Sequence, residues 1–350
     1  MSPRVTVNNT VKSRSNSSFA EFREQRLRTG ASAVPPQRPA RSAWWKFATN
    51  ETLSELEHRT LSKGSNTAGG YLVPQDFEDQ VVAVARDRGT IAKLAKEIVT
   101  TEGRTLPLPE VVTHGAGAWT SENASAALTD DVFGVLALGA YKAETMSLVS
   151  EELLRDAGID LASYMATEFG GRIAALEGTA FVLGDGSAKP QGALANFPVY
   201  TAPTGNAASF SYTAILAALH TVSPLYREQG GAWVGSDGIL HALRQIDTAG
   251  SSGTGFPIIR EPLTAGDPPL LAGYPFYVDT NMPAPAAGAQ SLMFAGWQAA
   301  YVIRRVAGIA TRRYDELYAG NGQVGFKLIE RIDGRVLLAA VGITLQHSAT

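Results

Sequence analysis

"IDLASYMATEFGGRIAALEGTAFVLGDGSAKPQGAL", Ile159 to Leu194, holds the longest helical signal of the 350-residue chain and the turn that ends it. Asp160 stands where a helix cap belongs. After it, Leu161, Met165, Phe169, Ile173, Leu176, Ala180 and Leu183 recur every three or four residues, the spacing of one helical face. Gly170 and Gly171 fall mid-helix, where each costs about 1 kcal/mol relative to alanine, so they mark close packing or a bend. The glycine-rich end, Leu183 to Asn196, raises the question of a phosphate loop. Such a loop opens a helix and ends in Gly-Lys-Ser/Thr, so that backbone N–H groups and the lysine surround the phosphates. Here the helix precedes the glycines, its negative dipole end faces them, and Lys189 is followed by Pro190. The stretch does not read as a nucleotide grip. Asp185 reads instead as a turn residue that hydrogen-bonds its own backbone.

Working outward, the C-terminal side is mixed α and β. Ser211 to Leu225 has a helical spacing (Ile215, Leu216, Leu219, Val222), and "GAWVGSDGILHALRQIDTAG" reads as a strand, a capped turn at Ser236 and a helix through Ile246. "GYPFYVDTNMP" and "SLMFAGWQAAYVIRR" read as strands, and "FKLIERIDGRVLLAAVGITLQ" as a hairpin turning at Asp333 and Gly334. On the N-terminal side, a helix after Pro74 carries Phe77, Val81, Val84, Ile91 and Leu94 on one stripe. From Gly103 to Val149 the helical period disappears. Pro107 and Pro109 lie in an extended stretch, "THGAGAWTSENASAALTDD" is small and polar, and Phe133, Val135, Ala137, Tyr141 and Ala143 alternate on the return. These residues predict a long two-stranded projection with a loose tip. Isolated hairpins are marginal in water, so it should lie against something else.

The first 68 residues differ from the rest. Residues 1–70 carry eleven Lys/Arg against five Glu, a net of +6, leaving 19 basic and 28 acidic residues, a net of −9, in the remainder. A basic, Ser/Pro-rich leader on an acidic body is either an arm that touches nucleic acid, a neighbouring subunit or an assembly factor, or a solvated flexible tail. Trp44 and Trp45 interrupt its polarity and call for a partner surface.

Composition narrows the chemistry. The chain has no cysteine, which excludes disulfides, thiol catalysis and cysteine-ligated metal sites, and its five histidines lack the spacing of a metal-binding helix. No apolar run is long enough for a membrane span, and no secretory signal is present. Ser236 sits in "VGSDG", which lacks the first glycine of a nucleophile elbow, and Glu151–Glu152 and Asp130–Asp131 are adjacent pairs whose side chains diverge. No cofactor is expected, and the residues assemble no catalytic set.

In its order of features, the chain from Gly69 to Gln346 resembles the major capsid proteins of tailed bacteriophages, the Hong Kong 97 type fold. "GGYLVPQDF" resembles the start of that family's ordered shell domain, and "AWTSEN", with Trp119 and Glu122, the segment near the tip of its extended loop. "LVSEELLRDAGIDLASYM" resembles its approach to a spine helix, and "LGDGSAKPQGAL" the turn that ends it. "PLLAGYPFYVDTNMP" and "LMFAGWQAAYVIRR" fall where its axial domain hands back to its peripheral domain. The resemblance implies an α+β subunit with a basic flexible leader (1–68), an N-arm and helix (69–102), an extended loop (103–149) and a peripheral domain with the spine helix (150–199). An axial domain (200–292) and return strands (293–350) follow. It makes Gly184, Asp185 and Gly186 the turn that releases the chain from the spine helix, with Pro190 and Gly192 shaping a loop at a subunit contact. It also implies hexamers and pentamers of the chain itself in an icosahedral shell around double-stranded DNA, assembled in the bacterial host cytoplasm. Partners would be portal, scaffold, protease or decoration proteins, and DNA held by non-specific contact. Lys142 and Asn321 are the positions that could match a cross-linking pair in some members, but neither lies in a matching motif and no bond is expected. Other readings are an encapsulin-type nanocompartment with the same fold, and a soluble enzyme.

Overall fold

A computed structural model describes residues 75–113, 132–156, 161–246, 256–262, 264 and 266–349. The leader with Trp44 and Trp45, the loop tip with Trp119 and Glu122, the Phe77 side chain and Asp160 lie outside the described residues. The chain runs through helices α1 (Gln75–Arg88) and α2 (Thr90–Leu94) and strands β1 (Lys96–Thr100), β2 (Leu106–Thr113), β3 (Val132–Leu138) and β4 (Tyr141–Ser150). A short helix α3 (Glu151–Asp156) precedes the long helix α4 (Leu161–Leu183). Then come β5 (Val199–Thr201), α5 (Tyr212–Thr221), α6 (Pro224–Arg227), β6 (Gly231–Gly235), α7 (Asp237–Arg244), β7 (Ile259–Arg260), β8 (Leu270–Leu271) and β9 (Tyr274–Val278). The last elements are β10 (Gln290–Gly296), α8 (Trp297–Ala300), β11 (Tyr301–Tyr314), β12 (Gln323–Val336) and β13 (Gly342–Gln346).

Two sheets organise these elements around two cores. A four-stranded sheet, in the order β1-β11-β12-β4, lies under α4, and Met165, Phe169, Ile173 and Phe181 of the helix share a buried cluster with Phe326, Leu328 and Ile332 of β12. A Cβ on Gly170 would come within 2.8 Å of Val84 Cβ and 2.9 Å of Val81 O, so this glycine serves close packing of α1 on α4. Leu176 and Leu183 do not face the core with Met165, Phe169 and Ile173; they are 50% and 49% exposed, and Glu177, Phe181 and Val182 are buried instead. Over 23 residues the 3.6-residue period carries the buried stripe around the helix axis, and strict three-or-four counting loses it.

The second sheet has seven strands in the order β5-β13-β10-β6-β9-β8-β7. Ile215 and Leu219 of α5 and Ile239 and Leu243 of α7 close over it, and Trp233, Phe294 and Tyr274 stack with centroids 4.9 and 5.1 Å apart. Ser211 and Ser236 cap α5 and α7, each accepting a backbone N–H from three residues on.

Several sequence expectations need correcting. Asp333 and Gly334 are not a turn: β12 runs straight through them, and the reversal between β11 and β12 covers 315–322, with Gly322 in the left-handed region. An Asp-Gly pair supplies turn chemistry, but here Gly334 is needed because a Cβ would sit 2.6 Å from the Tyr301 hydroxyl and 3.0 Å from Phe181. The segment after Val336 goes through a short 3₁₀ turn (Ala339–Val341) into β13, which belongs to the other sheet. The helix expected over Ser211 to Leu225 stops at Thr221 because Pro224 starts a new turn. A helical turn, Trp297–Ala300, divides the strand expected in "SLMFAGWQAAYVIRR". The return arm of the projection is also divided: β2 and β3 pair as a two-stranded ribbon, whereas β4 joins the four-stranded sheet.

Candidate assembly surface

The turn after α4 is built from close backbone approaches. Gly184 N–H donates to Ala180 O at 2.8 Å, Gly192 N–H to Gly184 O at 2.8 Å and Ala193 N–H to Phe181 O at 2.8 Å, so the chain folds back on the helix end. A Cβ on Gly184 would lie 2.1 Å from Pro190 O, and one on Gly192 2.5 Å from Val182 O, which reserves both places for glycine. Asp185 Oδ1 accepts the Ser187 N–H at 2.9 Å, the self-bonding turn expected of it, and its carboxyl lies below the ordinary carboxylate range for that reason, with the Lys189 ammonium at 3.3 Å helping. The loop is stitched to the sheet as well: Gln191 N–H donates to Gly334 O and the Tyr301 hydroxyl to Gln191 O. These contacts answer the mechanical question posed by the sequence. The loop seals the helix end, and its bonds run to backbone and neighbouring strands.

Lys142, Gly184 and Pro190, single candidates from different parts of the sequence, come together here. They line one groove of about 440 Å³ beside α4, with Leu176, Leu183 and Ile332 among its apolar walls. Lys142 itself pairs with Glu144, which also takes Lys327 at 2.8 Å. These two ammonium groups bring the Glu144 carboxyl down to about 2.

The base of the β2–β3 ribbon is held by a charged pair that the sequence did not reveal. Arg304 and Asp333 stand directly opposite each other on β11 and β12. Both are buried, and both spend their hydrogen bonds on the ribbon's ends. The Arg304 guanidinium donates to Leu138 O at 2.9 Å, Gly139 O at 2.8 Å, Glu102 O at 2.7 Å and Thr100 Oγ1 at 3.0 Å. Asp333 accepts the N–H groups of Gly139 and Gly334. Burial raises the Asp333 carboxyl above its usual range, and these bonds and the nearby arginines oppose the rise. The signal in the sequence was the charge itself, two ionic side chains inside strands of otherwise apolar sequence, but "DG" read more strongly as a turn.

A second buried cluster ties α4 to the same sheet. Arg305 makes a two-pronged contact with Glu177 at 2.8 and 2.7 Å, binds Glu330, and has Glu97 at 3.3 Å. Burial works against its charge, yet Glu177 and Glu330 prevail and hold the guanidinium more firmly protonated than usual.

Beyond its base the ribbon is bare. Pro107 faces Ala137 and Pro109 faces Val135 across the strands. All four are exposed, Val135 to 72%. The two prolines remove backbone donors from β2, which suits a two-stranded ribbon and discourages it from nucleating a larger sheet. Among the described residues, no group of three His, Cys, Asp or Glu side chains could hold a metal ion, and no helix is long and apolar enough to cross a membrane.

A family model described as the phage capsid family matches residues 69–343. The chain belongs to that family. A major capsid protein of Klebsiella oxytoca phage phiKO2 is 27% identical over 142 residues, which are 41% of this chain and 33% of that protein, so the chain matches about a third of this relative's length. Among solved structures, the capsid of a native GTA particle superposes with a TM-score of 0.64 at 21% identity, covering 75% of this chain and 91% of that one. The capsid of an empty GTA particle gives 0.62 at 23% identity, covering 75% and 90%. A chain from Mycobacterium phage Adephagia gives 0.56 at 15% identity, covering 85% and 99%. At these identities the likeness is one of fold, and the α+β capsid fold is thereby established.

Proposed function

We propose that this chain is the major capsid protein of a tailed phage or related particle, and that its copies form hexamers and pentamers of an icosahedral shell around double-stranded DNA. The observation that carries the reading is the β2–β3 ribbon, which is fixed at its base by buried ions and left uncovered along its length. A two-stranded ribbon with an exposed apolar face gains stability by lying across another subunit, and repeated heterologous contacts of this kind close into rings. In this reading α4 and the four-stranded sheet form a peripheral domain, and the seven-stranded sheet an axial domain that also takes in β13. Gly184, Asp185, Gly186 and Pro190 shape a subunit contact. Trp44 and Trp45 anchor a leader arm on a neighbour, while Trp119 and Glu122 reach it from the ribbon's tip. Portal, scaffold, protease or decoration proteins would complete the particle. Negative-stain microscopy of the chain expressed alone, with intact mass on the same sample, tests the proposal. Closed shells are expected, at full-length mass if the leader is retained or lacking about 65 residues if it is a cleaved scaffold segment. Only small particles, even with phage assembly partners supplied, would overturn it.

A further inference from the structure

The four-stranded sheet has one face under α4 and one face open, and the open face carries an unusual charge arrangement. Residues directly opposite in register share a face. On this face Arg312 of β11 stands opposite Lys327 of β12, and Arg331 of β12 stands opposite Lys142 of β4. Lys327 and Arg331 are four residues apart on one strand, so all four cations lie on the same side. The carboxylate among them is Glu144, opposite Ile329 and paired with Lys142 and Lys327. Arg312 and Arg331 are exposed, and among the described residues neither has an ion-pair partner.

Like charges directly opposite on neighbouring strands repel and weaken a sheet. Two such pairs side by side, with one carboxylate to serve four cations, make a surface that is better satisfied with an anionic partner than alone. The same chain supplies a segment of that chemistry. Between Arg104 and Lys142 there is no lysine or arginine, and the stretch holds Glu110, Glu122, Asp130 and Asp131. It is the projecting ribbon and its tip. The ribbon does not lie back on its own sheet: Val135 is largely exposed, and the described hydrogen bonds between ribbon and sheet are those at the base.

We infer that the open face of the four-stranded sheet, centred on Arg312, Lys327, Arg331 and Lys142, receives the acidic ribbon of a second copy of this chain. The inference rests on the shell reading and names the seat of its projecting element. Charge complementarity of this kind speeds encounter and sets register, and it weakens as salt rises.

The test is a charge swap in the full chain, read by microscopy, light scattering of assembly and nucleic-acid content of the particles. Arg312→Glu with Arg331→Glu, both at exposed positions, is expected to raise the concentration needed for assembly about tenfold or more, as several interfacial attractions become repulsions. Adding Glu122→Arg, Asp130→Arg and Asp131→Arg to the same chain is expected to restore assembly, which a mere folding defect would not allow. Wild-type assembly should also weaken with added salt, and the swapped chain should not mix with wild type in one particle. If wild type forms shells and the double variant assembles equally well, the seat is wrong while the shell reading stands. If the double variant assembles but its shells lose their nucleic acid, the face serves DNA and the inference is overturned. A double variant that fails and is not rescued by the swap also counts against the ribbon as the occupant. Failure of wild type to assemble at all removes the shell reading itself.

Discussion

The two halves of the molecule solve the burial of polar groups in opposite ways. Around the four-stranded sheet the buried polar side chains are mostly ionic: Arg304 with Asp333, and Arg305 with Glu177 and Glu330. Around the seven-stranded sheet they are mostly neutral: Ser236, Ser291, Asn206, Thr344, His347 and Ser348, with Asp279 the acidic member. His347 is the clearest case. Its Nδ1 lies 2.8 Å from the Asn206 carbonyl, which only accepts, so Nδ1 carries the proton and Nε2 accepts from the Ser291 hydroxyl at 2.6 Å, while the ring stacks on Phe210. The ionic half is the one that holds projecting parts, the ribbon at Arg304 and Asp333 and the long helix at Arg305. Multiply bonded ions fix direction more firmly than neutral pairs, at the expense of desolvation. A subunit whose projection must point at a partner has reason to accept that expense on one side only.

The comparison breaks most visibly at Arg305. Arg305→Ala leaves Glu177, Glu330 and Glu97 together without their cation, and is expected to cost roughly 3–5 kcal/mol in chemical unfolding. Arg305→Met combined with Glu177→Leu and Glu330→Leu should recover most of that loss or exceed wild type, because the desolvation cost goes with the ions. If the triple variant is as unstable as the single one, the cluster contributes more than its net charge balance and the contrast sharpens. On the neutral side, Ser291→Ala strands His347 Nε2 without a donor and should cost about 1–3 kcal/mol by the same assay, less than Arg305→Ala because no formal charge is left unpaired.

Much of this was legible in the sequence, and the reasons differ by element. The spacing from Met165 to Ile173, the caps at Ser211 and Ser236, and the Gly-Asp-Gly break after Leu183 are local signals, and the structure uses each as read. Asp333 was not legible. Its neighbours Gly139, Arg304 and Gly334 are brought together by strand register, and a single sequence does not display register. The same holds for the groove where Lys142 meets Gly184 and Pro190, and for the like-charge pairs of the open sheet face. Local chemistry predicted the parts, and the long-range pairing that makes a surface came only with the fold.

Acid separates the halves further. Burial holds the His347 ring below its ordinary value of 6.5, so the folded chain binds less of this proton than the unfolded chain does. Its contribution is complete above 6.5 and is lost as pH falls from there toward the lower folded value, with a slope of at most roughly 1.4 kcal/mol per pH unit for one proton. His347→Gln should flatten that part of the stability profile between neutral pH and mild acid, whatever it does to stability at pH 7. An unchanged slope would mean that other groups carry the acid response.

The smallest effect is expected at Glu144, and its window is different. Lys142 and Lys327 lower this carboxyl from 4.5 to about 2, so its contribution is complete above the unfolded value of 4.5 and fades as pH falls through the folded value of about 2. The group is on the solvent side, where screening keeps such pairs weak, so Glu144→Gln should leave unfolding at neutral pH almost unchanged. Its consequence lies in assembly. Removing the one carboxylate among Arg312, Lys327, Arg331 and Lys142 makes the open sheet face more basic. A face that seats an acidic ribbon should then bind it more tightly, and Glu144→Gln is expected to make assembly tolerate more salt than wild type does. Assembly that becomes more salt-sensitive instead would mean that Glu144 is itself a contact to the partner, and that the cations surround it to present a carboxylate, the reverse of the polarity inferred for this face.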